Sequence, residues 1–531
     1  MPVCGAAREP QRRRPLMPAL DARTSEAAAD AAELERVLGT HPDVERCTVL
    51  TGTRPDGVPV STAYVLPRRN EVVQHDGAVL GRQYVAEWQG VYDHVYAQQT
   101  SSDPTFDTRG WLSSYTGGEL GEDDMRAWLD DTVTRIKSLG ARRILEVGCG
   151  TGMLLHRLAP GADRYLGSDI SAGAIDRIRE AFDGRLPDGV EVFQAPADDL
   201  SAVAPRSVDG FVVNSVSQYF PDEEYLDRVV SQAVDAVDEG GFLFIGDVRS
   251  AALNRAFSAG LELARAPERA PSEKVQALVE RRCCTGTELM IDPCYFTALV
   301  GRLPRVAHVA VLLRRGKRRT EMNRFRYDVV IRLDRLPAGE VDVPDWRPWE
   351  RDRWGAAELR RHLQEERPPV LGLLGVPNAR VLADHAAAEL LARPDRPAVA
   401  GEVLAQATAE AGEGVDPEEI WSLGDDLPYA VSLSWARSLP DGAFDVSLVR
   451  VDGSSRAPEV RFPEAPAPPR MPVNRPWYGR VENVNPVKLR AHVRAQGAES
   501  VMPGRFVLLE SMPDTDGDSS GGESLRSIQW A

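Results

Sequence analysis

The run Ile144-Leu145-Glu146-Val147 stops on Gly148-Cys149-Gly150-Thr151-Gly152, and no other stretch constrains the fold as much. A short apolar run of this kind reads as a buried strand. The alternating glycines allow a sharp turn and let a ligand approach the backbone with no Cβ in the way. A helical pattern follows in Met153, Leu154, Leu155 and Leu158. The free N–H groups of a helix start should therefore face that ligand. No Gly-Lys-Ser/Thr follows, which excludes a P-loop. Nucleotides, dinucleotides and S-adenosylmethionine all remain open.

The next elements narrow the choice. Arg164 to Ser168 reads as a second strand ending at Asp169, 17 positions beyond Gly152 (169 − 152). An acid there can accept both hydroxyls of a ribose, which fits NAD or S-adenosylmethionine. Val192 to Ala195 predicts a third strand, and Asp198 and Asp199 in the turn after it can meet an adenine amino group. Gly210 to Asn214 predicts a fourth strand and Gly241 to Ile245 a fifth. The alternation over residues 142–250 is that of an α/β fold, a parallel sheet flanked by helices.

Composition excludes several classes. A net charge of −17 argues against a nucleic-acid binder, which needs a basic face. No apolar run reaches the roughly 18 residues of a membrane span. The first twenty residues lack the apolar core of a signal peptide, so a cytoplasmic setting is expected. Six cysteines with no CxxC spacing predict free thiols and no metal site. Residues 1–28 and 514–531 read as flexible, and APEVRFPEAPAPPRMPVNRP, ending at Pro476, as a Pro-rich connector.

The order of strand, glycine turn, Asp169, Asp198-Asp199 and Asn214 resembles class I S-adenosylmethionine-dependent methyltransferases, whose fold is Rossmann-like. The details are narrower. VAEWQGVYDHVY (Val85 to Tyr96), GWLSSYTG (Gly110 to Gly117), NSVSQYFP (Asn214 to Pro221), GDVRS (Gly246 to Ser250), ELMIDPCYF and RFRYDVV together resemble the N-methyltransferase domains embedded in nonribosomal peptide synthetases. On that resemblance the methyltransferase domain covers residues 80–335, and an α/β extension follows over 336–470. ELERVLGTHPDVERCTVL, VSTAYVLP and VMPGRFVLLESMP are similar to the C-terminal subdomain of an adenylation domain, split here into residues 29–70 and 475–513 as an α+β remnant. The family's late lysine should follow Met512-Pro513, but Asp514-Thr515-Asp516-Gly517 stands there and no lysine follows Lys488. No Ser/Thr/Gly-rich ATP loop appears either. The remnant is therefore expected to pack without activating amino acids, in a chain that acts in trans.

The resemblance implies S-adenosylmethionine as cofactor, held by Glu146, Gly148, Cys149, Gly150, Gly152, Asp169, Ile170, Ala197, Asp198, Asp199, Asn214 and Ser215. Trp88 and Tyr92 would cover it as an aromatic lid. Asn214, Gln218, Tyr219 and Asp247 are the catalytic candidates, since ligands bind at the C-terminal ends of the strands. Trp111, Tyr115 and Arg249 are candidates for the substrate side. Plainer roles compete: Tyr219 can pack its loop, Asp247 can cap a helix, and the aromatics can be core. The implied reaction is methylation of the α-amine of an aminoacyl or peptidyl thioester on a carrier protein. The alternatives are O- or S-methylation of a side chain, or a non-catalytic interaction module. Arg314, Arg315, Lys317, Arg318 and Arg319 form the one dense basic stretch, either a solvated hairpin tip or a docking face for an acidic carrier protein.

Overall fold

A computed structural model of the chain describes residues 22–42, 44–53, 59–67, 77–97, 103–337, 339–350, 354–451, 458–465, 469, 471–476, 486–503 and 505–508. The glycine turn follows strand β3 (Arg143–Val147), whose residues Ile144 to Val147 are buried. Burial on both faces is why this strand, β4 (Arg164–Asp169) and β6 (Val208–Asn214) read as continuous apolar runs rather than alternating ones. With β5 (Val190–Gln194) and β7 (Val237–Arg249) they form a parallel set in the order β5-β4-β3-β6-β7. The chain moves outward from β3 to β5 and then returns to lay β6 on the other side of β3. That reversal opens a crevice at the C-terminal ends of β3 and β6, where doubly wound sheets take ligands.

Strands β8 (Val306–Leu313) and β9 (Arg326–Leu333) continue the sheet, β9 antiparallel to both β7 and β8. Residues 336–470 add to it. β12 (Val370–Val376), β13 (Tyr429–Ser434) and β14 (Phe444–Arg450) are antiparallel neighbours, and β11 (Trp346–Pro348) forms the edge. The join is one pairing, Ser434 opposite Leu312 between β13 and β8. The result is a single sheet of 11 strands. One apolar core runs through it, from Leu145 and Val213 to Leu371 and Phe444. Short strands β10 (Glu340–Val341) and β15 (Glu459–Val460) pair separately.

The helices that bear on the site and on the small sheet are, in chain order, α1 (Ala22–Gly39), α2 (Gly77–Ala97), α3 (Glu122–Leu139), α4 (Ala172–Ala181), α5 (Glu223–Ala236), α6 (Asn254–Arg265), α7 (Ser272–Thr285), α8 (Leu382–Ala392) and α9 (Pro486–Ala495). Asp222 caps α5, its carboxylate accepting from the Tyr225 backbone N–H at 2.9 Å. The expected helix after the glycine turn is only the single turn Leu155–Leu158, followed by a 3₁₀ turn with Pro160 in it. Proline has no N–H to extend the ladder, so no long helix forms there.

A second unit stands apart in sequence. β1 (Val44–Thr53) pairs antiparallel with β2 (Pro59–Pro67), and β2 pairs parallel with β16 (Arg505–Leu508). Helices α1 and α9 cover this small sheet over a core of Leu34, Val37, Leu38, Val65, Leu489, Val493 and Phe506. It is seated on α7 by the buried, two-pronged ion pair of Arg490 with Glu280, at 2.8 and 2.6 Å.

The basic stretch is not a cationic face. Arg314 is fully buried and bonds Asp328 at 2.5 Å and Thr132 at 2.9 Å. Arg315 pairs with Glu418, Arg318 with Asp123 and Asp124, and Arg319 with Asp416. Acids from α3 and from residues 416–418 neutralise it, a long-range pairing that local sequence does not display. Among the described residues no helix is long and apolar enough to cross a membrane, and no cluster of His, Cys, Asp or Glu could hold a metal ion. Of the segments read as flexible, 1–21 and 514–531 lie outside the described residues, whereas 22–28 form the start of α1; Asp514 to Gly517 lie outside them too.

Candidate functional site

The glycine turn is built as its residue types require. Gly148, Gly150 and Gly152 take φ of 73°, 53° and 87°, the left-handed region that side chains avoid. At Gly148 space is also short: a Cβ there would lie 2.3 Å from Cγ2 of Val216. Turns from β3 and β6 thus meet face to face across the crevice. Backbone N–H groups of Gly148 and Cys149 donate to the Ser168 carbonyl, at 2.7 and 3.0 Å. Asp169, at the end of β4, accepts from the Gly150 N–H through Oδ2 and from the Ser171 N–H through Oδ1, both at 2.9 Å. Burial raises the carboxyl's pKa, and these two bonds oppose that. Glu146 is buried too, and accepts from the Tyr165 hydroxyl at 2.5 Å. Desolvation pushes its pKa up to about 8.

Above the turn lies α2. Trp88, Tyr92 and Tyr96 recur at i, i+4 and i+8, so they share one helix face. Their rings and that of Tyr219 form a continuous wall. Trp88 and Tyr219 centroids are 4.5 Å apart, Tyr92 and Tyr219 5.2 Å, Tyr92 and Tyr96 5.7 Å. The helix is tied down at its end: Ser171 donates to Asp93, and Arg177 donates twice to the Tyr96 carbonyl at 3.1 Å. Together turn, helix and strand ends enclose a cavity of about 260 Å³.

Most of the residues singled out in the sequence converge there. Glu146, Gly148, Cys149, Gly150, Asp169, Ile170, Ala197, Asn214, Ser215, Trp88 and Tyr92 line the cavity, with Gln218, Tyr219, Trp111 and Arg249. Five residues do not. Gly152 packs against Ile178 and His156 below the turn. Asp198 pairs with Arg228 at 3.1 Å, and Asp199 accepts from the Ser201 N–H at 3.1 Å; Ala195 and Ala197 form this part of the wall. Tyr115 turns away to pack on Phe257. Asp247 lies one layer behind the wall. It is completely buried, accepts from Ser215 Oγ at 2.8 Å and Arg326 Nη1 at 2.7 Å, and reaches the cavity only through them.

The sequence reading also left residues out. Tyr96 continues the i+4 stripe begun by Trp88 and Tyr92, a signal open to a longer helical window. Asp107 and Arg109, an ion pair, come from the loop before α3. Glu288, Glu321 and Arg326 come from beyond β7. Arg249 pairs with Glu288, and burial, then the neighbouring Arg326 charge, lower its pKa to about 10. Glu321 accepts from the backbone N–H of Ser114 at 2.9 Å and from its hydroxyl at 3.2 Å. The cavity therefore has two ends. One is glycine turn, Asp169 and aromatic rings. The other is polar and charged, bounded by Gln218, Arg249, Glu288, Glu321 and Arg326.

Four buried polar atoms of residues in the wall have no hydrogen-bond partner among the described residues: Trp88 Nε1, Trp128 Nε1, Asn214 Oδ1 and Gln218 Oε1. Buried polar groups are nearly always paired, so atoms left open on residues of a cavity wall are where a ligand's polar groups can bind. The first end fits S-adenosylmethionine. Asp169 has lone pairs left for ribose hydroxyls, the glycines admit the ligand, and aromatic faces favour a sulfonium.

Residues 145–243 match the family model of a methyltransferase domain. Chondramide synthase of Chondromyces crocatus is 35% identical over 443 residues, 80% of this chain and 11% of that protein. The nonribosomal peptide synthetase dtxS1 of Metarhizium robertsii is 31% identical over 380 residues, 69% of this chain and 5% of that protein. Cyclosporin synthetase of Tolypocladium inflatum is 25% identical over 510 residues, 91% of this chain and 3% of that protein. The chain thus spans between 3% and 11% of the length of these relatives. Glycine turn, sheet order and sequence likeness converge: residues 145–243 are an S-adenosylmethionine-dependent methyltransferase domain, in a chain similar over most of its length to part of nonribosomal peptide synthetases.

Proposed function

We propose that the chain methylates the α-amine of an aminoacyl or peptidyl thioester presented by a carrier protein of a nonribosomal assembly line. One observation carries the choice of nitrogen. Asn214 Oδ1 and Gln218 Oε1 are buried acceptors without partners in the same wall. A primary amine can donate its two N–H groups to two such oxygens and keep its lone pair free. A hydroxyl or thiol has one hydrogen and leaves one oxygen unpaired, at a cost of about 1–3 kcal/mol.

The bound cofactor supplies an electrophilic methyl on a sulfonium and a neutral leaving group. The protein's share is alignment and exclusion of water. Glu146, Asp169 and the glycine turn hold the cofactor end, and Trp88, Tyr92, Tyr96 and Tyr219 close over it. Gln218 is itself held by its amide, which donates to the Ser215 carbonyl at 2.8 Å. Ser215 in turn is fixed by Asp247. An α-amine has an ordinary pKa near 7.7–8.0, so a large neutral fraction is present without a strong base. Likeness to nonribosomal peptide synthetases supports a carrier-bound substrate. The small unit of β1, β2 and β16 is read as an adenylation-subdomain remnant that does not activate amino acids.

The test is incubation with S-adenosylmethionine and a panel of aminoacyl-carrier proteins, followed by fragmentation mass spectrometry. A gain of one methyl on the α-nitrogen is expected. A methyl found only on side-chain oxygen or sulfur would overturn the nitrogen reading. Cofactor binding with no transfer to any panel member would favour an interaction module.

A further inference from the structure

The polar end of the cavity is not made by the methyltransferase fold alone. Trp111, Leu112 and Ser114, on the loop before α3, form part of its wall. The loop is held by Arg265 of α6, which donates to the carbonyls of Ser114 and Tyr115, and is gripped by residues 314–325, between β8 and β9. Glu321 takes the Ser114 N–H and hydroxyl, and Arg324 Nη1 donates to the Tyr115 hydroxyl at 3.4 Å.

Segment 314–325 is in turn held from the extension. Arg380 donates to the carbonyls of Arg314 and Gly316, each at 2.8 Å. Glu418 accepts from the Gly316 N–H at 2.6 Å. Arg324 donates to the Arg380 carbonyl at 2.9 Å and ion-pairs with Asp384 on α8, both side chains largely buried. The fit around Asp384 is close: a Cβ on Gly260 of α6 would lie 2.0 Å from its Oδ1. A buried carboxylate paired with one guanidinium in so tight a seat has a single arrangement.

We propose that Asp384, acting through Arg324, is a positioning residue for the acceptor: it fixes the loop of Trp111, Leu112 and Ser114 that walls the polar end of the cavity. Residues 336–470 thereby complete the site. The proposal rests on the reading that this end takes the acceptor. Asp384 touches neither cofactor nor acceptor, so its loss should act on one end of the cavity only.

The experiment compares the whole chain with Asp384→Asn. Deuterium uptake at residues 110–116 should rise, while residues 143–169 exchange as before and calorimetric affinity for S-adenosylhomocysteine stays within about twofold. On an aminoacyl N-acetylcysteamine thioester, KM should rise about tenfold with little change in kcat, as when an interaction common to ground and transition state is lost. Unchanged uptake at 110–116 would overturn the proposal. So would increased uptake at both segments with loss of cofactor affinity, which marks a general role in the fold. If Asp384→Asn does not fold, Tyr115→Phe cuts the same chain at its far end, with the same exchange pattern expected and the same results overturning it. The exchange and calorimetry need no turnover. They would therefore stand if methylation proved to be on oxygen or sulfur.

Discussion

Ser215 Oγ donates to Asp247 Oδ2 at 2.8 Å, and both residues stand at positive φ, 59° and 62°. Ser215 follows the end of β6 and Asp247 sits at the irregularity of β7 between Ile245 and Val248, so two strained positions on adjacent parallel strands are clamped to each other beneath the cavity wall. Such conformations persist where surrounding structure over-determines them, each at roughly 1–3 kcal/mol.

The two contributions are separable at Ser215. Replacing it with alanine keeps the strain and removes a hydrogen bond to a buried carboxylate, which should destabilise the chain by about 1.5–3 kcal/mol. Replacing it with glycine removes the same bond and relieves the strain. Ser215→Gly should therefore be the more stable variant by about 1–2 kcal/mol in chemical denaturation.

Gly148 and Gly117 make a matched pair, with φ of 73° and 71°. A Cβ at Gly117 has nothing within 4 Å, and one at Gly148 meets Val216 at 2.3 Å. Gly117→Ala should cost about 1–2 kcal/mol from backbone strain alone. Gly148→Ala should cost about 1–3 kcal/mol more from overpacking, read from the same denaturation curves. Its cofactor affinity should fall, and that of Gly117→Ala should not.

Glu146 makes stability depend on pH. Its folded pKa of about 8 lies above the unfolded 4.5, so the folded state holds the proton more tightly. That contribution is fully present below 4.5 and is lost as pH rises through 8. Asp445, raised to about 6 by burial, adds a slope of the same sign. The cofactor-free chain should lose thermal stability between these limits, and Glu146→Gln should flatten the upper part of the decline. Equal slopes in the two proteins would contradict the assignment.

Glu280 and Arg490 seat the small unit on α7, and Arg490 also lies over the Phe506 ring at 5.2 Å. Removing one partner leaves the other charge buried alone, which costs about 3–5 kcal/mol. Glu280→Gln should thus raise amide exchange in α9, with exchange at the glycine turn unchanged.

Why the glycine turn, Asp169 and the aromatic stripe were legible is physical: each depends on spacing within one strand or helix. Asp247 was visible only as an acid at a strand end. Its burial follows from Arg326 and Arg314, which β9 and β8 bring across the sheet from 79 and 67 positions away (326 − 247; 314 − 247). The same distance hid Glu321, and made Arg314 look like surface charge. Asp198 and Asp199 have the residue type an adenine site needs, but the fold turns Asp198 to Arg228 and sets Asp199 over the Ser201 N–H, outside the cavity lining. A pairing settled by tertiary contact leaves no local pattern to read.

The pairing of β2 with β16 sets an order of assembly. Ala63 lies opposite Phe506, 443 positions later (506 − 63). At a synthesis rate of about 5–20 residues per second, β2 waits on the order of half a minute or more for its partner. Until then its open edge is a template for stray strands. The methyltransferase fold and its extension emerge in that interval and can fold as they leave the ribosome. The small sheet closes after them, so its completion reports that everything between its halves has already been made.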